Sequence, residues 1–233
     1  DGGNFHAALR YITDEEAFLI AQRPEIKAAA RYGVLNYRGE DGYTLSGKTA
    51  VIMGCDEPFV TDMMVDGIVE GNFPQTESEI MLTQSAKARL GFQVGDTIVM
   101  DGPDGKKLSY MISGFCKDTI KTTSEDSLGA AITTEAFRTI YPAVKNETLE
   151  DYDSVFYIQF ENPWKARQEI SDLKADCGLS DDQIYENVKL LGLYGQSDSS
   201  QMMQIYAVAA ALFALVLAAG VMMIASSLNS NVA

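Results

Sequence analysis

From Ser199 to Ala233 the chain carries no Asp, Glu, Lys, Arg or His, and Asp198 is its last charged side chain. Within that run, Ile205 to Ala225 reads IYAVAAALFALVLAAGVMMIA, with neither a charge nor a proline. About 20 such residues at roughly 1.5 Å rise cross the roughly 30 Å hydrocarbon core of a bilayer. A core helix of a soluble domain is the competing reading, but such helices are usually shorter and keep a polar stripe. The segment therefore predicts a transmembrane helix. Ser226, Ser227, Asn229, Ser230 and Asn231 mark the return to a polar environment. On this reading residues 198–228 are stalk and membrane helix, and residues 1–197 are a domain held at a membrane surface.

That domain is long enough for one sizeable fold or two small ones. Residue 1 is Asp, and the end after Ala233 is abrupt, so the sequence reads as an internal piece of a longer protein. The formal charge of -15 lies wholly before the membrane segment, without a long single-sign block. Such a surface repels nucleic acid and anionic headgroups, and no nucleic-acid partner is expected. Cys55, Cys116 and Cys177 are distant from one another and in no CxxC pairing. They make neither a disulfide framework nor a zinc site, and fit buried small apolar residues better than a bridge, although one pair stays open as an alternative in an oxidising compartment. His6 is the single histidine. A histidine-based metal site or catalytic triad is thereby unsupported.

Hydrophobic periodicity organises the rest. Phe5, Ala7, Leu9 and Tyr11 alternate with Asn4, His6, Ala8 and Arg10, which predicts a strand. Thr13-Asp14-Glu15-Glu16 is a capping-box pattern opening a helix with Ala17, Phe18, Ile20 and Ala21 on its apolar face. Pro24 ends it, and Ile26 to Leu35 is a second strand. Near the other end, Val155 to Phe160 is a strand, Asn162-Pro163 caps a helix through Trp164, Ile170 and Leu173, Gly178 closes it, and Ile184 to Leu190 returns as a strand. Two β-α-β units flanking other material predict an α+β fold: a ferredoxin-like split layer built from 1–45 and 128–197. Residues 46–127 then form an inserted, mostly β subdomain. Its expected pieces are strands Lys48 to Met53 and Glu79 to Leu82, a short helix Ser85 to Leu90 closed by Gly91, and a hairpin of Thr97 to Met100 with Lys107 to Phe115. Leu128 to Ile132 and a helix Thr134 to Tyr141, stopped by Pro142, are expected to return to the first layer. Before the membrane, 195–200 (GQSDSS) offers several N-caps, so one helix is expected to rise from the domain into the bilayer.

Gly42-Tyr43-Thr44-Leu45-Ser46-Gly47-Lys48-Thr49 satisfies GxxxxGK[ST]. A phosphate-binding loop needs a buried strand before it and a helix after it. Here a polar turn (Tyr37 to Asp41) precedes, and β-branched residues broken by Gly54 follow, so the segment reads as a glycine-rich hairpin. The carboxylate groups at Asp14-Glu15-Glu16, Glu125-Asp126, Glu150-Asp151-Asp153 and Asp181-Asp182 lack calcium-loop spacing and read as helix capping or solvated surface. No GxSxG or HExxH occurs. No catalytic residue, cofactor or metal is assigned. Asn146-Glu147-Thr148 fits a glycosylation sequon. In the membrane segment, Ala207, Ala211, Ala214, Ala218 and Gly220 are candidate helix-packing positions, because small side chains let backbones approach in lipid.

Three segments in order carry a family resemblance: Glu70-Gly71-Asn72-Phe73-Pro74, then Ser78-Glu79-Ile80-Met81-Leu82-Thr83, then Ala88-Arg89-Leu90-Gly91 with Val94-Gly95-Asp96-Thr97-Ile98. They resemble the MacB-like core domain of permeases in the MacB/FtsX-type ABC-transporter superfamily. Ser227 to Ala233 (SLNSNVA) is similar to the inner end of that family's second membrane helix. Asn72 departs from the arginine often found there. The resemblance implies a non-catalytic, multi-pass permease of the plasma membrane, with residues 1–197 extracytoplasmic between its first two membrane helices. It implies a cytoplasmic ABC ATPase on a separate chain and a permease dimer in the lipid bilayer. It also implies mechanical transmission of ATP-driven closure to an outer domain that handles a peptide, lipoprotein, antibiotic or cell-wall partner. The alternative is a membrane-anchored binding or sensing domain unconnected to a transporter.

Overall fold

The computed structural model describes residues 3–119, 122, 126–145, 154–196 and 200–232. The chain divides into two compact units, Asp1–Asn187 and Val188–Ala233. The sequon Asn146 to Thr148, the acids Glu125, Glu150, Asp151 and Asp153, and Asp198 lie outside the described residues.

The first unit is mixed α+β. β1 (Ala7–Arg10), α1 (Asp14–Ala21) and β2 (Ile26–Leu35) come first, followed by β3 (Thr44–Leu45), β4 (Lys48–Cys55), a π-helical turn at Phe59–Met63 and β5 (Ile68–Gly71). β6 (Glu79–Thr83), α2 (Gln84–Leu90), β7 (Thr97–Asp101), β8 (Lys107–Cys116), β9 (Ser127–Thr133) and α3 (Thr134–Lys145) follow. β10 (Val155–Phe160), α4 (Ala166–Cys177) and β11 (Ile184–Glu186) complete it. Local chemistry fixes many of these ends. Thr13 Oγ1 accepts the Glu16 N–H at 3.2 Å while Glu16 Oε2 accepts the Thr13 N–H at 2.8 Å, the reciprocal pair its sequence predicts. Asn162 caps the turn before α4 by accepting the Trp164 N–H at 3.1 Å, and Gly91 and Gly178 end α2 and α4 in the left-handed conformation.

The eleven strands among the described residues join one sheet, whose two halves differ. At one end the order is β11-β1-β10-β2, and every neighbouring pair is antiparallel. At the other end, β4-β3-β7-β8-β6-β9 closes on itself because β9 also pairs β4 in parallel, from Thr49↔Ser127 to Cys55↔Thr133. The result is a six-stranded barrel joined to the four-stranded layer by the β2–β4 ladder. Leu128–Ile132 therefore does not return to the first layer as expected; it closes the barrel. The physical reason is that Leu128, Ala130 and Ile132 face the same interior as Ala50, Ile52, Ile80 and Leu82, and burying both sets together also removes two sheet edges.

Ile98, Met100, Tyr110 and Ile112 add to that interior, and α3 supplies Phe137, Ile140 and Tyr141. Phe137 packs directly on Gly54: a Cβ there would lie 2.1 Å from Phe137 Cγ, so only glycine admits the ring. α3 runs to Lys145 rather than stopping before Pro142. A proline this near a C-terminus removes one backbone bond from the helix but leaves its last turn free to form.

One further expectation changes. Ile184 to Leu190 shrinks to β11, because Asn187 turns the chain: its N–H donates to His6 O at 2.9 Å and its Nδ2 to Phe5 O at 2.9 Å and Gly3 O at 3.1 Å. The following residues are helical, as α5 (Val188–Leu193) in the second unit. That unit also contains α6 (Ser200–Val232), 33 residues, in which Ser200–Ser227 is long and apolar enough to cross a membrane and is not buried by the rest of the chain. The Tyr206 hydroxyl donates to Gly192 O, tying α6 to α5.

Candidate functional site

The four-stranded layer has two unequal faces. Directly paired residues share a face, so Leu9, Phe156 and Arg31 lie on one side with Ala7, Ile158 and Ala29. Arg31 reaches Ile12 O at 2.8 Å and Asp14 at 2.9 Å, at the start of α1, which marks this as the face the helices cover. Arg23 near the end of α1 bonds Asp176 of α4 at 2.7 Å and holds the two helices together there. The opposite face presents two rows across the strands: Arg10, Val155 and Tyr32, then Ala8, Tyr157 and Ala30.

Over that second face lies a cleft of about 500 Å³, in the range of small-molecule sites. Its floor is aromatic. Tyr32 stacks on Phe59 with ring centroids 4.3 Å apart, Phe5 meets Tyr157 edge-on at 4.5 Å, and Phe59 and Tyr157 are 5.6 Å apart. Ala8 and Ala30 are the cross-strand neighbours of Tyr157 in its row. One wall is the π-helical turn with Met63, Met64 and Val65, a rare backbone form that recurs at functional sites. Residues 117–119, just after β8, make another.

The charged side chains lining the cleft are Arg10, Lys117 and Asp118. The Arg10 guanidinium lies 4.7 Å from the Tyr185 ring centroid. Lys117 pairs at 3.3 Å with Asp66, whose side chain is almost wholly exposed. Asp118 is engaged elsewhere: its carboxylate accepts the Ser85 N–H at 3.2 Å and the Ser85 hydroxyl at 2.5 Å. Burial pushes the Tyr157 phenol up, with the Arg10 charge pulling the other way, and burial also raises Tyr32. Both phenols are neutral at physiological pH.

The sequence-derived candidates fall elsewhere. Gly42 to Thr49 is strand, turn and strand: β3 and β4 pair through Ser46 (φ 49°) and Gly47 (φ 77°), both left-handed as a two-residue hairpin turn requires. A buried Asn36 donates to Tyr43 O at 2.7 Å and Ala50 O at 2.8 Å and organises the loop before the hairpin. No helix follows Thr49, so no helix N-terminus is aimed at this turn. Cys55 and Cys116 are buried and free, and Cys177 is exposed and free. Burial raises the Cys55 thiol and pushes Cys116 up to about 12, so both are protonated and poor nucleophiles. His6 is buried, its Nδ1 accepts the Phe160 N–H at 2.9 Å, and desolvation with the nearby Lys27 charge holds it down to about 4.

Ala207, Ala211, Ala214 and Ala218 fall within a narrow arc of α6, at about 100° per residue, whereas Gly220 lies on nearly the opposite side. A Cβ at Gly220 would meet nothing within 4 Å. The family-like motifs serve the barrel. Gly71 (φ 72°) lets β5 close on β8, where Asn72 N–H donates to Ser113 O at 3.0 Å, and Phe73 is buried. Glu79 accepts the Gln75 and Thr76 N–H groups at 2.7 and 3.0 Å, and Asp96 accepts that of Gln93 at 2.8 Å. The cleft residues were missed because they come from five separate stretches. The available signal was the alternation in β10, which puts Tyr157 on the face opposite Phe156 and Ile158.

No protein-family profile matches the chain, and no curated protein sequence matches it. Among solved structures, the chain is similar to the periplasmic region of MacB from Actinobacillus actinomycetemcomitans, at 12% identity over 78% of this chain and 87% of that one, with a TM-score of 0.49. It is also similar to a domain assigned to a permease protein from Porphyromonas gingivalis, at 12% identity over 78% of this chain and 88% of that one, with a TM-score of 0.48.

Proposed function

We propose that this chain is the extracytoplasmic domain and following membrane helix of a permease subunit in a MacB/FtsX-type ABC transporter. The observation that carries the reading is the ordered motif set from Glu70 to Ile98, followed after the folded unit by a charge-free helix of membrane-spanning length. On this reading residues 1–197 lie outside the cell membrane and 198–228 are stalk and span. The support for a ferredoxin-like split layer is the order β11-β1-β10-β2 with all pairs antiparallel and a β-α-β unit from each end of the unit.

The permease is non-catalytic and works with a cytoplasmic ATPase on another chain. It is multi-pass, dimerises in the bilayer, and transmits ATP-driven movement mechanically to the outer domain, which handles a peptide, lipoprotein, antibiotic or cell-wall partner. Helix packing in the membrane uses Ala207, Ala211, Ala214 and Ala218 as one stripe and Gly220 on the other side of α6, so two neighbouring helices are served rather than one.

The test is the complete open reading frame, expressed with its candidate ATPase. It should encode another hydrophobic segment shortly before Asp1 and two more after Ala233, and affinity purification of the full-length protein should retain an ABC ATPase. A frame without those segments, or a purified protein that retains no ATPase, contradicts the reading.

A further inference from the structure

The cleft on the face of the layer opposite α1 and α4 combines three properties. Its floor is a continuous aromatic surface, formed by Phe5, Tyr32, Phe59 and Tyr157 through mutual ring contacts. Met63 and Met64 line one side, and methionine adapts its shape to irregular apolar bodies. Its lining also carries two cations in a chain of net charge -15: Arg10 and Lys117, beside one carboxylate, Asp118, whose oxygens accept the Ser85 N–H and hydroxyl.

The two cations select among occupants. A neutral apolar ligand would gain nothing from the two cations, and a cationic one would be repelled. Arg10 and Tyr32 occupy the same row two strands apart, so about 10 Å of sheet separates their backbones, the span of a two-ring body. Among the described residues the Lys117 ammonium pairs with Asp66, whose side chain is almost wholly exposed, so little opposes its redirection towards an anion.

We propose that this cleft is a binding site for small amphipathic anions, molecules with a flat apolar body and one carboxylate or sulfonate. The body lies on the Tyr32–Phe59–Tyr157 surface and the acid group meets Arg10, with Lys117 as the second cation. The inference goes beyond the transporter reading and does not depend on it, since the cleft binds or fails to bind whether or not an ATPase is attached.

The probe pair is 2-naphthoate and its uncharged isostere 2-naphthamide, titrated by calorimetry into the full chain in phosphatidylcholine nanodiscs, with empty nanodiscs subtracted. Naphthoate should bind one to one and at least 10-fold more tightly than naphthamide. Arg10→Gln should weaken naphthoate at least fivefold and leave naphthamide within about twofold; Lys117→Gln should do the same to a smaller degree. Phe59→Ala should weaken both. Should Phe59→Ala fail to fold, Val65→Trp, at an exposed rim position, should block both ligands with the fold intact. Equal affinity for the two probes, naphthoate binding that survives both Phe59→Ala and Val65→Trp, or no heat above empty nanodiscs would overturn the proposal. None of these results bears on whether an ATPase co-purifies.

Discussion

The two halves of the sheet are built from the same kind of strand and end in opposite conditions. In the barrel, β4 and β9 meet and close the ring, so each strand has two neighbours and the inward side chains fill the interior to nearly zero exposure. In the layer, α1 and α4 cover one face, while the other keeps Tyr157, Val155 and Arg10 partly exposed above a cleft. A packed, edge-free barrel stabilises and offers little surface to a ligand. A cleft backed by a rigid layer can bind. The difference assigns scaffold duty to one half and recognition to the other, and the two should respond differently to substitution.

The largest expected effect is in the barrel. Phe137→Ala removes a ring that is 1% exposed and packed on Gly54, and should cost about 3–5 kcal/mol in denaturant unfolding of the full chain. A loss under about 1 kcal/mol would mean that the interior is not the main source of stability.

Second is the pH response at the sheet strand where the layer begins. Native His6 is held to about 4 by burial, whereas an unfolded histidine titrates near 6.5. Its folded value is depressed, so its contribution is intact above pH 6.5 and is lost as pH falls from 6.5 towards 4, where the unfolded chain takes up a proton and the native one does not. The full shift corresponds to about 3 kcal/mol, and solvent screening reduces the expected effect to about 2. His6→Asn should flatten the pH dependence of the unfolding midpoint across that window; parallel curves for the two proteins would contradict it.

Third, Tyr157→Ala in the cleft should cost about 1–2 kcal/mol of stability, less than Phe137→Ala, because the ring is partly exposed although it contacts Phe5, Tyr32 and Phe59. It should nevertheless abolish naphthoate binding. If it destabilises as much as Phe137→Ala, the cleft is core rather than site. The smallest change is Thr13→Ala, which removes the side-chain half of the capping box and should lower stability by about 0.5–1 kcal/mol in the same unfolding assay, without altering ligand binding.

The sequence made the layer legible and the barrel much less so, for a physical reason. β1, α1, β2, β10 and α4 carry their own signals: alternation, a capping box at Thr13, Asn162-Pro163, and a terminating glycine at 178. Barrel closure depends on Thr49 to Cys55 meeting Ser127 to Thr133, a parallel pairing between segments more than seventy residues apart, and no local pattern encodes it. β3 has two residues and the four-residue β5 is broken by a register shift between Ile68 and Glu70, too little for periodicity to register. The motifs from Glu70 to Ile98 pointed to a family, yet in the fold they cap turns and close β5 on β8. The cleft was invisible because Arg10, Tyr32, Phe59 and Tyr157 are ordinary alternating residues until register brings them together.

Hydrogen exchange of the full chain in nanodiscs, with and without 2-naphthoate, tests this division of labour most directly. The account predicts slowed exchange at β1, β10 and Phe59 to Val65, with the amides of β6, β7 and β9 unchanged. Protection centred on the barrel strands, or exchange that does not respond to a saturating ligand, would contradict it.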